Sequence, residues 1–309
     1  MNSIVFPGQG SQYVGMCKNW YENFDEAKKI FNEADKILNE PLSKIIFQGP
    51  EEDLIKTNNA QPAILVSSIA LLEVIKSQKK IDLVKFCKFL AGHSLGEYTA
   101  LYASGALDFQ SVVKLVKLRG TLMSKSDKTG EGKMAAIIGL KISEIETMLK
   151  DFKKDRICEI ANDNSEGQIV ISGHKNAVDV FKTMAKERGA KLTIDLKVSA
   201  PFHSKLMENA AIKMNTEINK TSFNQFNIPI ISNVKAIPCD NGLEFKSLLS
   251  QQITMTVKWR ETILFMENEG VKKVFEIGPG NVLSGLIKRI TKNIECFSIQ
   301  NPEDMDNLE

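Results

Sequence analysis

None of the five cysteines (Cys17, Cys87, Cys158, Cys239, Cys296) forms a C-x-x-C pair with another, and their number is odd. That excludes a disulfide framework and a zinc site of the usual spacing, and it fits a reducing compartment. Charge of one sign is lacking too: 40 Lys and Arg face 38 Asp and Glu, a net charge of +2. Domains that bind nucleic acid usually carry a strong basic footprint, so no nucleic acid is expected as a partner. Long hydrophobic runs are scarce. The uncharged stretch Thr57 to Leu72 reads as too short and too polar to span a bilayer, so no membrane is expected either. The opening residues Met-Asn-Ser-Ile-Val-Phe-Pro-Gly have neither a basic n-region nor an apolar h-region, and the expected location is cytoplasmic.

What is present is the material of a large globular core, with 43% hydrophobic and 25% charged residues in 309. Such a length allows one large domain with an insertion, or two smaller ones. Strands and helices alternate, which predicts an α/β fold with a mainly parallel sheet. Ser3–Phe6 and Phe86–Ala91 read as strands that run into glycine loops, Pro7-Gly8-Gln9-Gly10 and Gly92-His93-Ser94-Leu95-Gly96. Ile228–Asn233 and Val274–Ile277 read as further strands. Gln61–Gln78 reads as a helix with Pro62 in its first turn, and Asp108 can cap another that runs to about Lys125.

The middle of the chain has a different rhythm. After the polar stretch Ser124–Lys133, the pattern predicts strand Met134–Leu140, helix Ser143–Phe152 and strand Ile157–Ala161. Strand Gln168–Ser172, helix Lys175–Arg188 and strand Lys191–Val198 follow. The order β-α-β-β-α-β is ferredoxin-like. Residues 126–199 therefore read as an inserted subdomain, and 1–125 with 200–309 as the catalytic α/β domain. The polar, acidic end Asn301–Glu309 is expected to fray.

Gly92-His93-Ser94-Leu95-Gly96 fits G-x-S-x-G in its required setting, an apolar strand before and a helical stretch after. Flanking glycines permit a sharp turn that pushes the serine out at its tip. The Leu95 amide at the helix start is placed to receive an oxyanion. A serine nucleophile needs a base, and only three histidines exist. His93 is beside Ser94 on the same elbow and is badly placed to face it. His174 reads as a solvated loop residue. His203 lies in Ser199-Ala200-Pro201-Phe202-His203-Ser204, ahead of a predicted helix Ser204–Lys220 whose N-terminus disfavours imidazolium. His203 is the expected base.

The helix after Asp108 places Val112, Leu115, Val116, Leu122 and Met123 on one face, and Arg119 shares it. A guanidinium in a core-facing stripe needs an anionic partner. An internal carboxylate or an acidic substrate could supply it, and periodicity alone favours the internal ion pair.

Taken together, Phe6-Pro7-Gly8-Gln9-Gly10-Ser11-Gln12, Gly92 to Tyr98, Leu118-Arg119-Gly120 and Ala200-Pro201-Phe202-His203-Ser204 resemble the malonyl-CoA:acyl-carrier-protein transacylases. So do Gln61-Pro62-Ala63, Met134 to Gly139, Gln168 to His174 and Glu276-Ile277-Gly278-Pro279-Gly280. The set spans essentially the whole chain in the family's order. The resemblance implies a hydrolase-like domain with a ferredoxin-like insertion. It implies transfer of malonyl from malonyl-CoA to the pantetheine thiol of acyl carrier protein through a malonyl-serine at Ser94, supplying fatty acid biosynthesis. It further implies His203 as base, Arg119 on the malonyl carboxylate, and an oxyanion hole from the amides of Gln9 and Leu95. The main-chain carbonyl of Gln252 would orient the base, and Asn162 would meet the pantetheine arm. Such chemistry calls for no cofactor beyond the coenzyme A thioester that is its substrate. One departure is visible: Thr256 stands before Val257-Lys258-Trp259, where the family usually has proline, and a looser loop around Gln252 is expected. A serine hydrolase is the alternative, but its usual order puts an acid and then His near the C-terminus, whereas about a hundred residues follow His203.

Overall fold

The computed structural model describes residues 1–127, 130–152 and 156–308. The chain opens with strand β1 (Asn2–Phe6) and helices α1 (Lys18–Asn23), α2 (Asp25–Leu38), α3 (Leu42–Gln48) and α4 (Glu51–Leu54). Helix α5 (Thr57–Gln78) and the turn α6 (Leu83–Phe86) lead to strand β2 (Cys87–Gly92), then to helices α7 (Gly96–Ala103) and α8 (Phe109–Ser124). Next come β3 (Gly132–Ile138), α9 (Ile142–Asp151), β4 (Cys158–Ser165), β5 (Gln168–His174), α10 (Lys175–Glu187) and β6 (Leu192–Asp195). Helix α11 (Glu208–Lys220), strands β7 (Ile230–Ile231) and β8 (Pro238–Cys239) and helices α12 (Gly242–Gln252) and α13 (Trp259–Asn268) follow, with β9 (Lys273–Ile277), α14 (Val282–Ile290) and β10 (Glu295–Ile299) at the end.

The larger sheet has the order β10-β9-β1-β2-β7-β8, parallel except for β8. Its central strands are apolar on both faces, as a sheet covered on both sides requires. Ile4, Phe6 and Leu90 join the core that contains α5 and α8. Val5, Phe89, Ala91 and Ile231 join the core under α13 and α14, with Trp259, Ile263 and Ile287. The register pairs Phe6 with Gly92, so the loops after β1 and β2 leave the same edge side by side. Crevices at the carboxyl ends of parallel strands are where such sheets build sites.

The second sheet is antiparallel in the order β4-β5-β3-β6, the ferredoxin-like arrangement of the expected α/β class. Ala135, Ile137, Ile169 and Ile171 face α9 and α10 in a core of their own. The opposite face, through Met134, Ala136 and Val170, joins the main core.

Several sequence expectations need correction. Helix α5 starts at Thr57 rather than Gln61, because the Asn59 and Ala60 amides already bond Lys56 O at 2.8 Å; Pro62 therefore lies inside it. At 22 residues this helix is long and apolar enough, by length and composition, to cross a membrane. It is instead a core helix, buried along most of its length and packed against α2, α7 and α8. The strand expected over Ile228–Asn233 shrinks to Ile230–Ile231, where Leu90 pairs with Ile230 alone. The terminal residues do not fray: a 3-10 turn spans Pro302–Leu308, Met305 and Leu308 are buried, and Asp304 accepts from the Gln300 and Asn301 amides. Glu309, and Lys128 and Thr129 of the expected polar stretch, lie outside the described residues.

Candidate active site

The turn after β2 is built by close approach. A Cβ on Gly92 would fall 1.9 Å from the carbonyl carbon of Gly96, and one on Gly96 would fall 2.1 Å from Phe6 O. Only glycine fits at either position. Between them Ser94 takes φ +51°, a left-handed conformation that costs a non-glycine residue energy and that surrounding contacts must hold. Asn233 does so: its Oδ1 accepts the Ser94 amide at 2.7 Å, and its Nδ2 donates to Gly92 O at 2.7 Å.

Ser94 Oγ lies 2.8 Å from His203 Nε2. His203 is itself at φ +56° and only 4% exposed. Its Nδ1 is 2.7 Å from the main-chain carbonyl of Gln252. That carbonyl can only accept, so Nδ1 carries the proton and Nε2 is left to receive one from Ser94. Burial, then the nearby Arg119 charge, pushes the imidazole down to about 3.

The other two histidines face elsewhere. His93 Nε2 is 2.8 Å from Asn164 Oδ1, with its ring tilted against Trp259. His174 is half-buried, not a solvated loop residue, because its Nδ1 accepts the Ile157 amide at 2.9 Å.

Arg119 is 1% exposed and lies over the Tyr98 ring, 5.6 Å from its centroid. Its terminal nitrogens donate to Gln61 Oε1 at 2.7 Å, Gln252 Oε1 at 2.9 Å and Ser94 Oγ at 2.9 Å. All three acceptors are neutral, and Nε has no acceptor among the described residues. Leaving a buried guanidinium without a carboxylate in contact is costly in the resting protein. The internal ion pair that periodicity alone favours is not made by Arg119 among the described residues.

Gln252 does more than its carbonyl alone. Its side-chain Nε2 donates to Glu97 Oε2 at 2.6 Å and to Ser94 O at 2.9 Å. Thr256 does not loosen this loop: its hydroxyl donates to Ile160 O at 2.6 Å, and Val257 N donates to Ala161 O at 2.8 Å. A proline offers no hydroxyl, so threonine supplies a tie to β4 in place of ring stiffness.

The remaining candidates are nearby in sequence or topology, but less directly connected. Leu95 follows Ser94 at the start of α7, and Gln9 is on the adjacent β1 loop with its Nε2 donating to Thr57 Oγ1 at 3.3 Å. Asn162 is buried in β4 where that strand bulges and bridges Val257. No hydrogen bond joins it to the Ser94 cluster among the described residues. Sequence reading gave no role to Glu97, Gln61 or Asn233. A signal existed for Glu97, the only charged residue in the otherwise neutral α7.

A serine at the edge of an α/β sheet, with a neutral imidazole behind it and a buried cation in reach, has the parts for acyl transfer. The chain matches the acyl transferase domain family over residues 4–301. It is 42% identical over 305 residues to a Bacillus subtilis (strain 168) malonyl CoA-acyl carrier protein transacylase, covering 98% of this chain and 95% of that one. Its structure matches that of an acyl-carrier-protein-S-malonyltransferase from Bartonella henselae with a TM-score of 0.96 and 43% identity, over 99% and 97% of the two chains. It also matches a malonyl-transacylase in complex with a type II PKS acyl-carrier protein, with a TM-score of 0.95 and 36% identity over 99% and 98%. The chain is an acyltransferase. It belongs to the malonyl-CoA:acyl-carrier-protein transacylase family.

Proposed function

We propose that this chain transfers the malonyl group of malonyl-CoA to the pantetheine thiol of acyl carrier protein through an ester on Ser94. His203 Nε2 removes the Ser94 proton as Oγ attacks the thioester carbonyl. The amides of Gln9 and Leu95 receive the oxyanion, each such donor being worth about 2.7–4 kcal/mol. The tetrahedral intermediate collapses, the C–S bond breaks, and the imidazolium returns its proton to the coenzyme A thiolate. In the second half His203 takes the proton of the carrier thiol, the sulfur attacks the serine ester, and Ser94 Oγ recovers a proton as it leaves. Arg119 holds the malonyl carboxylate throughout. The Gln252 carbonyl keeps the base in its tautomer, and Asn162 contacts the pantetheine arm. Every bond exchanged is an ester or thioester, so no oxidation state changes and the balance needs no cofactor.

The same proposal assigns residues 1–125 and 200–309 to the catalytic unit and 126–199 to an inserted one. It places the reaction in the cytoplasm, in supply of fatty acid biosynthesis. All five cysteines are free, and burial pushes Cys17 and Cys87 up to about 12, which keeps both as unreactive thiols.

The observation that carries the reading is the pair of contacts on one oxygen, 2.8 Å to His203 and 2.9 Å to Arg119. They bring Ser94, His203 and Arg119 within contact of one another, which supports their reading as nucleophile, base and acyl-carboxylate receptor. The test is intact mass after incubation with malonyl-CoA. Wild type should carry a malonyl adduct that purified holo acyl carrier protein removes. Ser94→Ala should carry none, and an adduct persisting on that variant would overturn the assignment.

A further inference from the structure

We propose that Glu97 is a positioning residue for acyl selectivity, acting on Arg119 through the side-chain amide of Gln252. The inference rests on the malonyl-transfer reading above. Glu97 stands three residues after Ser94 in the first turn of α7, with no exposed surface. Its Oε1 accepts the Asn233 amide at 2.7 Å, and its Oε2 accepts Gln252 Nε2 at 2.6 Å. It is therefore the root of two arms. One runs through Asn233 to the backbone of the Ser94 turn. The other runs through Gln252 Oε1 to Arg119.

The second arm works by donor and acceptor matching. An ionised carboxylate only accepts, so it draws the amide nitrogen of Gln252 toward itself and turns the amide oxygen toward the guanidinium. Rotated the other way, Gln252 would set N–H against N–H at Arg119. The second guanidinium anchor lacks such backing, since Gln61 Nε2 meets the Met123 sulfur at 3.6 Å. Glu97 makes no ion pair with Arg119 among the described residues. Its charge offsets that of Arg119 from one amide away, and the guanidinium stays available to a carboxylate on the acyl group.

The test is kcat and KM for malonyl-CoA and acetyl-CoA with carrier protein, at mildly alkaline pH, in wild type, Glu97→Gln, Arg119→Ala and the double variant. Glutamine at 97 has one acceptor where two are needed, so it cannot serve Asn233 N and Gln252 Nε2 together. Glu97→Gln should lower the malonyl-to-acetyl ratio of kcat/KM by about tenfold or more, chiefly through KM for malonyl-CoA. In the Arg119→Ala background the same change should leave the ratio where it was. An unaltered ratio in Glu97→Gln, an equal loss for both thioesters, or a further fall in the double variant would overturn the proposal. Should Glu97→Gln not fold, Gln252→Met removes the amide while keeping the carbonyl that holds His203, and an unaltered ratio there overturns it equally. A wild type that transfers acetyl as readily as malonyl would instead overturn the reading on which the proposal stands.

Discussion

Arg260 and Arg119 show two ways in which this chain withdraws a guanidinium from water. At the seam between β4 and α13, Arg260 Nε donates to both oxygens of Asp163 at 3.1 and 3.0 Å, and its NH2 reaches Oδ2 at 2.8 Å. In the chamber at the edge of the larger sheet, Arg119 is more deeply buried and, among the described residues, meets only neutral oxygens. The same place holds Ser94 and His203, the proposed nucleophile and base, at positive φ. The seam is internally satisfied, the ordinary condition of a buried charge. The chamber carries strain and unused hydrogen-bonding capacity, which stable packing alone does not require. That spare capacity supports the proposed binding of an acyl carboxylate at Arg119.

Substitutions in the chamber should therefore damage the reaction and spare the fold, and those in the seam should do the reverse. The largest expected effect is at the base. His203→Ala should lower kcat/KM for transfer by about a hundred- to ten-thousand-fold, with a melting temperature close to wild type. His174→Ala, which removes only an acceptor for the Ile157 amide, should keep substantial transfer. Loss of activity in a well-folded His174→Ala beside an active His203→Ala would reverse the two roles.

At the seam, Arg260→Met should cost about 1.5–3 kcal/mol of stability, the scale of a lost hydrogen bond to a charged group. Denaturant unfolding measures it, and the malonyl-to-acetyl ratio should not move. A shifted ratio with unchanged stability would erase the distinction drawn here. The smallest effect belongs to Thr256→Val, which removes the hydroxyl bond to Ile160 O and nothing else of size. It should cost about 0.5–1.5 kcal/mol and lower kcat modestly. If Thr256→Val is indistinguishable from wild type in both, the tie between β4 and the Gln252 loop has no consequence.

How much of this was legible in sequence follows the physics of each element. The elbow could be read because Gly92 and Gly96 are demanded by backbone contacts that no other residue permits. Asp108 as a cap and Arg119 on an apolar face follow local periodicity, and both hold. The start of α5 was hidden by Pro62, which looks like a helix opening but is tolerated inside one that the surrounding core stabilises. The buried tail was hidden by its polarity: Met305 and Leu308 are its only large apolar anchors, and their partners are far away in sequence. The same distance concealed Glu97, Asn233 and the Gln252 side chain. Their roles exist only because segments 136 and 155 residues beyond Glu97 return to the turn after β2. No local pattern encodes that return.

Arg119 meets no carboxylate among the described residues, and its proposed partner is the acyl carboxylate. The direct measurement is kcat/KM for malonyl-CoA and acetyl-CoA in wild type, Arg119→Ala and Arg119→Lys. Truncating one side of a buried charge pair costs about 2–5 kcal/mol, or about thirty- to several-thousand-fold. Malonyl transfer by Arg119→Ala should fall by at least the lower figure, while acetyl transfer changes little or rises. Lysine should restore part of the malonyl activity, since it keeps the charge without the planar fork. Equal losses for malonyl and acetyl would make Arg119 a structural residue and contradict the account.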